Sequence, residues 1–130
     1  MVIALSIMYG NRVKMIVVKD GISLKRVDRL PDKTIVLLSS GNYVEQGFTI
    51  KRIELRLYQE KTGGKAGPYS IITIHIETDK GIIERVFDEG FRGPNALEEA
   101  TAYLTSHLTL SDLILQSVLK LQKHLKEQNK

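Results

Sequence analysis

The sequence predicts an α+β protein in which a largely antiparallel sheet precedes two C-terminal helices. Over residues 49–78, aliphatic and polar side chains alternate along two runs joined by a glycine-rich segment, a pattern typical of a long β-hairpin. After Phe87 the apolar residues recur every three or four positions, which indicates amphipathic helices. We therefore expect a sheet of about five or six strands, with a further short helix after the first hairpin.

Shorter runs predict the strands and the helix that precede the long hairpin. Residues 2–9 and 13–19 are rich in β-branched side chains and flank a turn segment, so they predict a first hairpin. Residues 23–30 carry apolar side chains at helical spacing and predict the short helix. Residues 34–39 are aliphatic with little alternation, which favours a central position in the sheet. Residues 82–87 predict the last strand.

Two helices are predicted after the sheet. Asn95 and Glu98 have capping-box spacing at the start of the first helix, and Thr109 can cap the second, which extends to about Gln128. One apolar stripe of the second helix contains Leu110, Ile114, Val118, Leu121 and Leu125. Additional leucines widen this stripe, so we predict an α+β globular domain over residues 1–108 and an oligomerisation helix over residues 109–130. The alternative is that the whole stripe packs on the sheet of its own chain.

Composition narrows the class of protein. The chain has 130 residues with 42% hydrophobic content, enough for one independent core. It has no cysteine, which excludes disulfides and thiolate chemistry and favours a cytoplasmic location. No segment has the length and apolarity of a membrane span, so we expect no membrane partner. The net charge of +4 permits a polyanionic partner, and abundant Ile, Leu, Lys and Glu are typical of heat-adapted proteins.

The two faces of the long hairpin differ in chemistry. One face is aliphatic, whereas the other combines cations with aromatic rings. The candidate nucleic-acid-binding residues are Arg52, Arg56, Tyr58, Lys61, Lys65, Tyr69 and His75. Single-stranded nucleic acid suits such a surface, because bases stack on exposed rings while cations contact the phosphates. In the alternative interpretation, the two arginines pair with Glu54 and Glu77, and the tyrosines shield the hairpin ends.

Motifs for catalysis are not evident in the sequence. The three histidines, His75, His107 and His124, lack metal-ligand spacing. The glycine-rich tip differs from a phosphate-binding loop, because Lys65 is followed by Ala66 and then by a strand instead of a helix. We therefore expect a protein that is not an enzyme and that needs neither a metal nor another cofactor.

The overall layout resembles that of the archaeal ThermoDBP-related proteins, a family that binds single-stranded nucleic acid. The resemblance rests on the basic and aromatic sheet face, the Gly-Phe-Arg-Gly-Pro-Asn segment at residues 90–95 and the leucine-rich last helix. It covers most of the chain and implies a groove with apolar and aromatic walls, basic rims and association through the last helix. The site residues above come from local chemistry and are not transferred from the family.

The predicted function is therefore non-enzymatic binding of single-stranded DNA or RNA by a homodimer or a higher homo-oligomer. A protein of a different class remains the alternative. It would be an assembly or adaptor protein that acts through its C-terminal helix and has no nucleic-acid role.

Overall fold

A computed structural model describes residues 2–3, 16–21, 30–39, 41–60, 69–87, 95–106 and 109–128. The strands are β1 (Val2–Ile3), β2 (Ile16–Asp20), β3 (Lys33–Leu38), β4 (Tyr43–Glu45), β5 (Phe48–Glu60), β6 (Tyr69–Thr78) and β7 (Gly81–Val86), and the helices are α1 (Ala96–Ser106) and α2 (Thr109–Gln128). The predicted first turn, residues 23–29 of the predicted short helix and the hairpin tip at 61–68 lie outside the described residues. Leu30, the last residue of that predicted helix, is described and is 86% exposed.

The described strands form one mostly antiparallel sheet. The strand order is β1-β2-β7-β6-β5-β3, and β4 also pairs with β5. Among these pairs, β2 and β7 run parallel and the others run antiparallel. The α+β class, the mostly antiparallel sheet and the two C-terminal helices are therefore confirmed.

Both helices pack on the aliphatic face of the sheet, α1 over β5 and β3, and α2 over β7, β2 and β4. Ile53 and Leu55 of β5 and Ile74 of β6 are buried in the same core as Leu97 of α1 and Leu121 of α2. Alternation explains this face, because every second side chain of a strand points to the same side. Within the described residues, neither helix combines the length and the apolarity needed to cross a membrane.

The apolar stripe of α2 contacts its own chain. Ile114, Val118 and Leu121 are buried, and Leu110 and Leu125 pack against the same core. This is the arrangement of the alternative interpretation of the stripe. Packing within one chain gains about 1.5–3 kcal/mol for each fully buried side chain and avoids the ~4–15 kcal/mol cost of association.

Polar contacts also join α2 to the sheet. The guanidinium of Arg85 in β7 donates to Ser117 Oγ of α2 at 3.1 Å. Lys120 of α2 forms an ion pair with Asp20 of β2, and its hydrogen bond lowers the pKa of that carboxyl. These contacts help to fix the orientation of α2 over β2 and β7.

The prediction of a central position for residues 34–39 is wrong, because β3 is the terminal strand on its side of the described sheet. A β-bulge between Val36 and Leu38 interrupts its register with β5. Ile35, Leu37 and Leu38 pack against the core, whereas Val36 remains 44% exposed. The aliphatic run therefore reflects a bulge in an edge strand, and not burial of both faces.

Truncation of α2 side chains tests this packing. We expect Leu121→Ala to lower the free energy of unfolding by about 2–5 kcal/mol, because it leaves a cavity between α2 and the sheet. Leu119→Ala is the matched control, because Leu119 is 44% exposed and its change should stay below about 1 kcal/mol. Urea unfolding of both variants checks this expectation. Equal losses would contradict the orientation of α2, which places Leu121 inside the core and Leu119 outside it.

Candidate functional site: a polar network and a basic rim

The candidate site lies on the sheet face that points away from both helices, which we call the outer face. On β5, alternation places Arg52, Glu54, Arg56 and Tyr58 on this face. The register of the sheet places His75 of β6 between Glu54 of β5 and Glu84 of β7. The strands thus bring together groups that are far apart in the sequence.

The carboxylate of Glu84 is the centre of a buried polar network. Glu84 is 3% exposed. Its Oε1 accepts from Arg56 Nη1 at 2.9 Å and lies 3.1 Å from His75 Nδ1. Its Oε2 accepts from Tyr58 Oη at 3.0 Å and from Thr73 Oγ1 at 2.8 Å. Four contacts therefore satisfy a carboxylate that would otherwise be costly to bury.

The network keeps Glu84 ionised. Burial raises the pKa of Glu84, but hydrogen bonds from His75 and Thr73 and the positive charge of Arg56 outweigh burial and lower this pKa to about 2. Because an ionised carboxylate only accepts, His75 Nδ1 carries the proton in this pair. For Tyr58, burial and the nearby Glu84 raise the phenol pKa to about 12.

Glu54 joins the two arginines. Its Oε2 accepts from Arg52 Nε at 2.7 Å, and its Oε1 accepts from Arg56 Nε at 2.6 Å. Burial raises the pKa of Glu54, but these two hydrogen bonds outweigh burial and lower it. Arg56 consequently bridges two carboxylates, those of Glu54 and Glu84.

These contacts resemble the ion-paired alternative predicted from the sequence, with one different partner. Glu54 binds both arginines, but the second carboxylate is Glu84 in place of Glu77. The side chains of Arg52 and Arg56 are 41% and 23% exposed. Two guanidinium groups thus face two carboxylates, so the charges of these four side chains balance.

The structure places the other predicted binding residues differently. Tyr58 is 2% exposed, and His75 is also buried, so neither ring offers a stacking surface. Tyr69 lies in β6 opposite Glu60, but its side chain is not described. Lys61, Lys65 and most of the segment at residues 90–95 lie outside the described residues.

Sequence reasoning missed two residues of this face, Glu84 and Lys51. Alternation from the buried Ile83 could have placed Glu84 on the outer face, but its partners depend on the order of the strands. The position of Lys51 outside the core depends on a break in the alternation of β5. Ile50 and Ile53 are both buried, so two residues instead of one lie between them.

That break is a β-bulge, and it creates what we call the basic rim, formed by Lys51, Arg52, Val36 and Val44. The register between β5 and β6 shifts between Ile50 and Arg52, so Lys51 and Arg52 are consecutive residues that both lie outside the core. Val44 lies opposite Thr49, and Val36 lies opposite Glu54. Both valines are exposed, which gives the rim apolar surface beside its cations.

The chemistry of the network is better suited to positioning than to catalysis. A carboxylate that orients a histidine through Nδ1 also occurs in acid–base catalysis. Here His75 is buried, its Nε2 lies 3.8 Å from Glu77 Oε1, and the nearby Thr73 hydroxyl already donates to Glu84. Among the described residues, no group of three or more metal-ligating side chains could hold a metal ion.

Comparisons of this chain with protein-family models, curated proteins and solved structures find no match. The resemblance to the archaeal ThermoDBP-related proteins therefore stays a prediction from the sequence layout.

Acid unfolding tests the role of Glu84. Its pKa is about 2 in the folded protein against an ordinary value of 4.5. Between pH 4.5 and 2, the unfolded chain therefore binds more protons than the folded protein. The stabilisation by Glu84 is complete above pH 4.5 and is lost as the pH falls toward 2. The expected loss is on the order of 3 kcal/mol.

Glu84→Gln should remove this acid-dependent contribution and cost about 3 kcal/mol at neutral pH, because Arg56 loses one of its two carboxylate partners and the neutral amide cannot accept all the hydrogen bonds that the buried carboxylate accepts. Urea unfolding at neutral and acidic pH measures both effects. Glu98→Gln is the control, because Glu98 is exposed and its ion pair among the described residues is with Lys33 at the surface. Equal acid sensitivity in the wild type and in Glu84→Gln would refute the role of this carboxylate.

Proposed function

We propose that this chain binds single-stranded DNA or RNA, without catalysis, through the basic rim of the outer face. The observation that carries the proposal is the bulge that brings Lys51 and Arg52 side by side, outside the core. Lys51 is exposed and forms no ion pair with another described residue. Two adjacent cations are a basis for contacts with consecutive phosphates, which supply most of the affinity in non-specific binding.

Arg52 keeps donors for a ligand. Its contact with Glu54 uses Nε, and within the described part of the chain neither Nη group donates a hydrogen bond. A guanidinium offers planar paired donors, which match the oxygens of a phosphate. Exposed Val36 and Val44 add apolar surface next to these donors.

The position of the described helices favours a single strand over a duplex. Both described helices pack on the opposite face, so neither is available on the outer face to enter a major groove. Because Tyr58 is buried, base stacking has to use other rings, and Tyr69 remains a candidate from the sequence. We therefore expect phosphate contacts to dominate, with weak discrimination between bases.

A salt titration tests this function. Fluorescence anisotropy with a labelled oligothymidylate and with a duplex should show single-strand binding that weakens as salt rises, with a slope of about −0.7 for each phosphate contact. Lys51→Ala and Arg52→Ala should each weaken binding and reduce that slope by one contact. Lys123→Ala, at an exposed position of α2, removes the same charge from the opposite side of the protein and serves as the control.

Two results would refute the proposal. The first is the absence of binding to either oligonucleotide at low salt. The second is an equal loss of affinity in Lys51→Ala and Lys123→Ala, because net charge alone would then explain the binding.

Leu115 and Leu119 favour a second candidate function, self-association through α2. They are four residues apart on α2, neither belongs to the apolar core, and Leu119 is 44% exposed. Both leucines are already partly buried, so covering their remaining surface gains less than the ~1.5–3 kcal/mol of a fully exposed leucine for each of them, against an association cost of ~4–15 kcal/mol. The expected dimer is therefore weak and uses a different flank from the buried stripe.

Sedimentation velocity over a range of protein concentrations tests this second candidate. The wild type should show concentration-dependent association, and Leu119→Lys should abolish it by placing a charge on the apolar flank. Gln116→Lys adds the same charge at another exposed position of α2 and should leave association unchanged. A wild type that stays monomeric at the highest concentration would exclude this candidate.

A further inference from the structure

Four side chains of the outer face form a chain of ion pairs that runs from the interior to the surface. Arg56 binds Glu84 at 2.9 Å and Glu54 at 2.6 Å, and Glu54 binds Arg52 at 2.7 Å. Side-chain exposure is 3% for Glu84, 23% for Arg56, 7% for Glu54 and 41% for Arg52. The most exposed member is therefore held through the three that are more buried.

The spacing on β5 makes this arrangement possible. Arg52 and Arg56 lie two residues before and two residues after Glu54, so all three share one face of the strand. The carboxylate offers one oxygen to each arginine. Because Glu84 also holds Arg56, the Glu54 carboxylate has a fixed position when it meets Arg52.

A guanidinium that is already held in place loses less side-chain entropy on binding than a mobile cation does. An arginine that orders only when a phosphate arrives loses side-chain freedom at that moment, and a pre-oriented one has already lost it. The contact through Nε leaves the two Nη groups of Arg52 as a pre-oriented pair of donors.

We infer that Glu54 is a positioning residue, which orients Arg52 so that its Nη groups bind a phosphodiester of the single strand. This inference rests on the proposed function. A positioning role for Glu54 has an unusual consequence in a protein that binds a polyanion. Removal of the negative charge of Glu54 weakens binding, whereas simple electrostatics requires that it strengthens binding.

Glu54→Gln is the central variant, since it keeps the size of the side chain and removes the charge that holds both arginines. We expect affinity for a labelled oligothymidylate to fall about 2- to 10-fold, the effect of ordering one long side chain on binding. Arg52→Lys keeps the positive charge but lacks the paired donors, so affinity should fall while the salt slope stays unchanged.

The double variant separates positioning from a general structural effect. In the Arg52→Lys background there is no guanidinium to orient, so Glu54→Gln should strengthen binding instead of weakening it. This reversal of sign is expected only if Glu54 acts through Arg52. Thermal unfolding of each variant checks that its affinity is measured on folded protein.

The outcomes distinguish the inference from the function on which it rests. If the wild type does not bind, the proposed function fails, and the inference fails with it. If the wild type binds and Arg52→Ala weakens binding, but Glu54→Gln binds more tightly, only the positioning role is overturned. If Glu54→Gln does not fold, Arg52→Lys decides the matter, because affinity equal to that of the wild type would show that Arg52 acts as a simple charge.

Discussion

The arrangement of the polar side chains on the outer face depends on the ion pair between Arg56 and Glu84. Its two charged atoms are 2.9 Å apart, and the carboxylate is 3% exposed. A charge at such a position is tolerated only when it is paired and its remaining oxygens are hydrogen-bonded. Tyr58 and Thr73 supply those bonds, and their side chains are buried. The position of Glu54 follows, since it completes the pairing of Arg56.

The two faces of β5 and β6 have different physical roles. The aliphatic face gains its stability from area buried under α1 and α2, and such packing is non-directional. The outer face gains its order from directional hydrogen bonds, which fix the orientation of each group. A function that needs a defined array of donors is therefore better placed on the outer face, at the bulge where Arg52 reaches solvent.

Local periodicity explains which features of the fold the sequence revealed. The bounds of α2 and the pairing of the long hairpin follow from apolar spacing and turn residues, which act over a few positions. The place of β3 at the edge did not follow. A strand buried on both faces and an edge strand with a bulge can have the same aliphatic sequence without alternation. Which of the two forms depends on the strands that pair with it.

The sequence by itself determined which side chains of β5 share a face, because the two-residue period of a strand needs no knowledge of the rest of the protein. Only the tertiary structure decided their partners. Arg56 and Glu84 are 28 residues apart and meet because β5 and β7 both flank β6. The same holds for the stripe of α2. An apolar stripe can pack on a sheet or on another helix, and in this protein the sheet of its own chain covers it, a contact that carries no cost of association.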